Sequence, residues 1–156
     1  MRTVPLARQV RPVKTWNPTT SAPVDFDYID LSSIDQRRKV VTTPSRMKSP
    51  EAPSRARQLV ESGDVLVSTV RPNLNGVAVV PPELHGATAS TGCTVLRAAE
   101  SLDVRYIIQW VQSPQFVEAM VRQATGASYP AVSDRIIKAF EIPLPPLPEQ
   151  RRIAAI

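Results

Sequence analysis

Thr125-Gly-Ala-Ser-Tyr-Pro-Ala-Val-Ser-Asp-Arg-Ile-Ile-Lys-Ala-Phe-Glu-Ile-Pro-Leu-Pro-Pro-Leu-Pro-Glu-Gln-Arg-Arg-Ile-Ala-Ala-Ile156 organises the chain. Gly126 permits a tight turn with positive φ. Ser133-Asp134 can cap a short helical turn, and Phe140 to Ile142 form a short strand. Pro143, Pro145 and Pro146 hold the backbone extended, because proline fixes φ and disfavours helix in the residue before it. Pro148 suits the first position of a new helix, and Glu149 favours its N-terminal dipole. The chain thus leaves a globular body (residues 1–142), crosses a stiff proline-rich connector (143–147) and starts a helix (148–156).

A length of 156 residues and 42% hydrophobic content allow one domain with a real core. No apolar run approaches membrane-spanning length. The first ten residues lack a signal-peptide core, so a cytoplasmic location is expected. Cys93 is the single cysteine, which rules out an internal disulfide. Its neighbours alternate like a strand, marking a buried structural thiol rather than a nucleophile.

The net charge of +5 is unevenly spread. Residues 1–57 hold eleven Lys/Arg against five Asp/Glu, whereas residues 58–156 hold eight against nine, so all the excess lies in the N-terminal third. There Arg37, Arg38, Lys39, Arg46, Lys48, Arg55 and Arg57 face only Glu51 along the chain. Such a one-sided field suits a polyanion; a solvated loop without a partner accounts for the charge alone equally well. Fifteen arginines against four lysines favour forked contacts to phosphate or guanine.

Phe26, Tyr28, Ile29 and Leu31 read as a half-buried strand with one irregularity, following the turn-rich Trp16–Thr20 segment. The carboxylates of Asp25, Asp27 and Asp30 are expected to face solvent rather than a metal. Residues 36–58, with three prolines and the basic cluster, read as a long loop, which is the main candidate for touching a polyanion. Ala56 to Gly63 reads as a short helix stopped by glycine. Asp64–Val70 and Gly76–Val80 are strands rich in branched residues, joined by the hairpin-type loop Arg71-Pro-Asn-Leu-Asn-Gly76. Asn73 and Asn75 suit both turn geometry and base-edge hydrogen bonding, and Arg71 suits a base contact or a structural salt bridge. Ala87–Ser90 and Cys93–Arg97 read as the next strand pair around Gly92. Asp103 caps a helix carrying Val104, Ile107, Ile108 and Val111 inward; Pro114 starts a second with Phe116, Val117, Met120, Val121 and Ala124 inward.

Catalytic parts are missing from the sequence. It has no Gly-rich phosphate loop with a lysine and no Asn/Asp-Pro-Pro-aromatic tetrad. No Glu/Asp-x-Lys pair occurs, and one His with one Cys cannot form a zinc site. His85 reads as a surface residue, and Ser68, Ser90 and Ser128 have no evident histidine partner.

The C-terminal run resembles the DNA-specificity subunits of type I restriction-modification systems. Thr125-Gly126-Ala127-Ser128 is followed by Ile142-Pro143-Leu144-Pro145-Pro146-Leu147-Pro148-Glu149-Gln150, a spacing typical of their target-recognition domains. Ser68 to Leu74 and Ser90 to Arg97 extend the likeness over most of the chain, leaving the N-terminal third loosely matched. The resemblance implies sequence-specific duplex DNA recognition, one domain reading one half of a bipartite site. It implies a non-catalytic component that docks methyltransferase (modification) and nuclease/translocase (restriction) subunits. S-adenosylmethionine, ATP and magnesium would belong to those partners, leaving no cofactor here. The C-terminal helix would pair with a second recognition domain or a second copy. The expected fold is an α/β (α+β) domain: a twisted mixed or mainly antiparallel sheet flanked by helices, with the start of a protruding spacer helix. Phosphates would be gripped by the basic cluster, and bases read from that cluster, from Arg71, Asn73 and Asn75, and from the Ser128-Tyr129 turn; Tyr129 suits a core position equally. Two other classes remain open: a protein-interaction module using the Ile142–Pro148 segment as its ligand, and a small hydrolase whose site the sequence does not reveal.

Overall fold

The computed structural model describes residues 2–156; Met1 lies outside them. At its centre is an antiparallel sheet in the order Val10–Arg11, Cys93–Ala98, Val65–Ser68, Val77–Val79. The apolar run Val65-Leu66-Val67 alternates between two cores. Val65 and Val67 pack with Tyr106, Ile107 and Phe116 on the helical side, while Leu66 packs with Ile29, Ala89 and Val95 on the other. A strand buried on both faces needs such a continuous run. Each fully buried branched side chain contributes about 1.5–3 kcal/mol through removal from water.

The helical layer comprises α1 (Val104–Val111), α2 (Pro114–Gln123) and α3 (Asp134–Lys138). Their starts follow from local chemistry: Asp103 accepts from the Arg105 amide, Ser113 from Phe116 and Ser133 from Ile136. Val121, expected inward on α2, is 45% exposed, because Phe116 and Met120 alone fill the buried stripe.

On the opposite face lies a second four-stranded sheet, in the order Ser45–Lys48, Asp25–Ile29, Thr88–Ser90, Ala56–Leu59. It corrects three expectations. Ala56–Leu59 is a strand, not a helix: it pairs antiparallel with Thr88–Ser90, and the Gln58 amide donates to the Ser90 and Cys93 carbonyls. Thr88–Ser90 and Cys93–Ala98 are not partners; the chain changes sheet at Thr91-Gly92, so each strand pairs elsewhere. The 36–58 segment is no open loop, since Ser45–Lys48 forms an edge strand against Asp25–Tyr28. Phe26, Tyr28 and Ala56, with Trp16 and Met47, make a small third core beneath it.

The exit is anchored. Glu141–Pro143 pairs with Thr3–Pro5, and the Pro143 carbonyl accepts from the Tyr106 hydroxyl at 2.8 Å. α4 (Leu147–Ala154) begins one residue earlier than expected and packs against α1. Its Gln150 is fully buried, accepting from the Asp103 amide and donating to the Ser101 and Pro145 carbonyls at 2.8–2.9 Å. Ile142 to Gln150 is therefore packed against the N-terminal strand and α1 rather than free as a proline-rich ligand for another protein.

Cys93 is buried against Ile29 and Val95, and burial, aided by the Asp30 charge, pushes its thiol up to about 12. Thiolate is the reactive form, so the folded protein is expected to react with a thiol reagent at pH 8 at least about 100-fold slower than the urea-unfolded chain. Comparable rates in both states would contradict the burial.

Candidate nucleic-acid interface

The hairpin between Val65–Ser68 and Val77–Val79 closes through a 3-10 turn at Pro72–Leu74, flanked by Arg71 (φ 51°) and Asn75 (φ 50°). A non-glycine residue costs roughly 1–2 kcal/mol in that left-handed region. Its surroundings hold the turn. The Arg71 amide donates to the Pro130 carbonyl, Val70 bridges to Ala131, and α2 packs beneath. The Thr125–Ala131 loop is itself closed by reciprocal Thr125–Ala131 backbone bonds around Gly126 at φ 104°. A Cβ at Gly126 would lie 3.0 Å from the Tyr129 carbonyl, so only glycine fits this turn.

These two loops, some fifty residues apart in sequence, form one exposed ridge. The Arg71 guanidinium lies 4.6 Å from the centroid of the Tyr129 ring, a cation–π geometry. Tyr129 is 69% exposed and is therefore not a core residue. Arg71, Asn73 and Ser128 are exposed as well. Beside the turn runs a cleft of about 220 Å³ lined by Leu31, Ile34, Gln36, Arg71 and Leu74. Planar groups and free donors on a rigid turn are what base edges and sugar-phosphate require.

Asn75 behaves differently. Its side chain donates to the Val111 carbonyl at 2.8 Å and accepts from Lys39 Nζ at 3.1 Å. Lys39 also donates to the Asn75 carbonyl at 2.6 Å, and burial lowers its pKa. Both side chains, expected on DNA, are half-buried and bonded to each other and to the protein backbone.

The basic cluster is divided by the fold. Asp25 pairs with Lys48, and Asp27 with Arg46, whose guanidinium lies 3.3 Å from the Asp27 carboxylate. Directly paired residues share a sheet face, so two carboxylates offset two of the expected phosphate contacts. Read along the chain these cations met only Glu51; strand pairing supplies the missing acids. Arg37 and Arg38 project from a turn whose amides donate to the Asp35 carboxylate at 3.0 Å. Those amide bonds, that of Arg38 foremost, hold the Asp35 carboxyl below its ordinary value. Arg55 is exposed, and Arg57 spends one N–H on the Ser54 carbonyl. Arg37, Arg38, Arg55 and Arg57 thus remain open toward solvent. Asp30 caps the Leu31 amide, and among the described residues no group of three His, Cys, Asp or Glu side chains could hold a metal.

Sequence reading gives Gln150 and Arg97 no packing role. Arg97 forms a bidentate pair with the buried Asp64 carboxylate at 2.8–2.9 Å, and Glu61 lies 3.3 Å away. No local pattern reveals those roles, because every partner except Pro145 is distant in sequence.

Comparison with known proteins gives a consistent picture. Residues 52–156 match the model of the type I restriction modification DNA specificity domain. The fold is similar to a crystal structure of an HsdS subunit from Thermoanaerobacter tengcongensis, with TM-score 0.89 and 38% identity over 99% of this chain and 40% of that one. A structure from work on complex assembly and conformational transition of the type I R-M system matches with TM-score 0.90 and 38% identity, again over 99% of this chain and 40% of that one. The chain thus spans about two fifths of the length of those solved chains. No curated protein matches.

Proposed function

Because the chain belongs to the type I restriction-modification DNA-specificity family, we propose that it is a target-recognition domain reading one half of a bipartite duplex DNA site. The observation that carries this reading is the ridge where Arg71, stacked on Tyr129, and Asn73 are held exposed by two interlocked loops. Arg71, Asn73, Ser128 and Tyr129 read bases or the adjacent backbone. Arg37, Arg38, Arg55 and Arg57 contact phosphates, with Arg46 and Lys48 contributing less because Asp27 and Asp25 lie beside them.

The domain works without catalysis of its own, in the cytoplasm. Modification and restriction subunits supply S-adenosylmethionine, ATP and magnesium chemistry. α4 begins the spacer helix that leads to a second recognition domain or a second copy, with residues 1–142 as the recognition body and 143–147 as the connector. Anchoring by Gln150 supports this assignment, since a spacer that sets half-site distance must leave the body in a fixed direction.

Binding-site selection at one fixed salt concentration tests the assignment. Arg71→Ala and Asn73→Ala should relax preference at particular base pairs by about 1–3 kcal/mol each. Arg37→Ala and Arg55→Ala should weaken all sequences alike. Unchanged preferences in both ridge variants would remove base reading from this turn.

A further inference from the structure

Lys39, Arg71 and Asn75 are the non-glycine residues with positive φ among those described, and two of them, Lys39 and Asn75, are bonded to each other. Lys39 (φ 58°) reaches across 36 residues to the Asn75 carbonyl and side-chain oxygen, while the Asn75 amide reaches the Val111 carbonyl at the end of α1. Three separate elements are tied by two side chains: the 35–39 turn, the Pro72–Leu74 turn and α1. Glycine at position 75 would take the same φ without strain. Glycine would keep the carbonyl that accepts from Lys39 but lose the bond to Val111 and the second acceptor for Lys39; asparagine supplies both while tolerating the left-handed region.

The tie has a consequence for recognition. Asn73 and Arg71 are aimed outward from a turn with two anchored ends. One end is held by the Pro130 carbonyl through the Arg71 amide, and the other by Asn75. Losing either anchor frees the turn without removing any exposed donor. We propose that Lys39 and Asn75 are positioning residues, a latch that fixes the aim of the Arg71–Leu74 turn on DNA, and that neither touches DNA itself. This inference rests on the recognition reading above.

The test uses the whole chain with Lys39→Met, which keeps an unbranched side chain one atom shorter and removes the donors, and Asn75→Gly, which keeps the backbone conformation. The first measurement needs no DNA. Hydrogen exchange of the Leu74 and Asn75 amides, bonded to the Arg71 and Pro72 carbonyls, should accelerate about tenfold or more, while Leu66 and Val67 stay protected. The second is binding-site selection with a salt titration on random and selected duplexes. Both variants should lose about tenfold of discrimination at one or more base pairs, with the log–log salt slope unchanged. A phosphate-contacting lysine would instead make the slope shallower by about 0.9 and leave preferences intact, which would overturn the latch. Unaltered exchange at Leu74 and Asn75 would overturn it too. A parent chain that binds no duplex at low salt would remove the recognition reading and the positioning role together, and the exchange rates would still decide whether the tie exists.

Discussion

Asp64→Ala is expected to destabilise the protein by about 3–5 kcal/mol, the usual cost of leaving one partner of a buried pair without the other. The Asp64 carboxylate is almost fully buried and accepts Nε and Nη2 of Arg97 and the Glu61 amide. Removing it strands a guanidinium that is 16% exposed beside a single half-exposed carboxylate, Glu61. It also frees the turn between Val60 and Asp64, which leads into the central strand. Small domains hold only about 5–15 kcal/mol in total, so urea unfolding should show a midpoint shift readable without ambiguity. The double variant Asp64→Ala with Arg97→Met should recover part of the loss, because no buried guanidinium is then left without its carboxylate. A loss under about 1 kcal/mol in the single variant would mean that water replaces the carboxylate freely.

The contrast between this pair and the helices shows which features are legible in sequence. α1 and α2 follow from caps and apolar spacing within a dozen residues, and the central hairpin from two branched runs around Pro-Asn-Leu-Asn. Ala56–Leu59 was misread because Arg57, Gln58 and Leu59 favour helix locally, whereas their strand state comes from pairing with residues thirty positions away. The parallel pairing of Asp25–Ile29 with Thr88–Ser90 spans some sixty residues and leaves no local trace.

The candidate site divides in the same way. Arg71 and Asn73 stand out as polar residues in a short, stiff turn. That Tyr129 lies beneath Arg71, and that Lys39 and Asn75 face each other, depends on how three loops dock. Counting charge along the chain overstated the basic field for a related reason. Asp25 and Asp27 precede Lys48 and Arg46 by some twenty residues in sequence but oppose them directly in the sheet.

That redistribution changes the size of the salt effect. The excess of six positive charges over residues 1–57, if six to eight phosphates are met, corresponds to a log–log slope of roughly −5 to −7. With Lys39 engaged on Asn75, and Arg46 and Lys48 set against carboxylates, four arginines remain, plus Arg71 if it meets the backbone. At about −0.9 per contact the expected slope is roughly −3.6 to −4.5. Raising salt from about 50 to 200 mM should then lower affinity by about 10²–10³-fold, against about 10³–10⁴-fold for the larger set. Fluorescence anisotropy on one duplex across that range separates the two. Asp27→Asn is the sharper probe. Its carboxylate is the one bound to Arg46, so its removal should free that guanidinium and steepen the slope by up to about 0.9. A parent slope near −6, with no change in Asp27→Asn, would mean that the ion pair opens on DNA and that charge counted along the chain is the better guide.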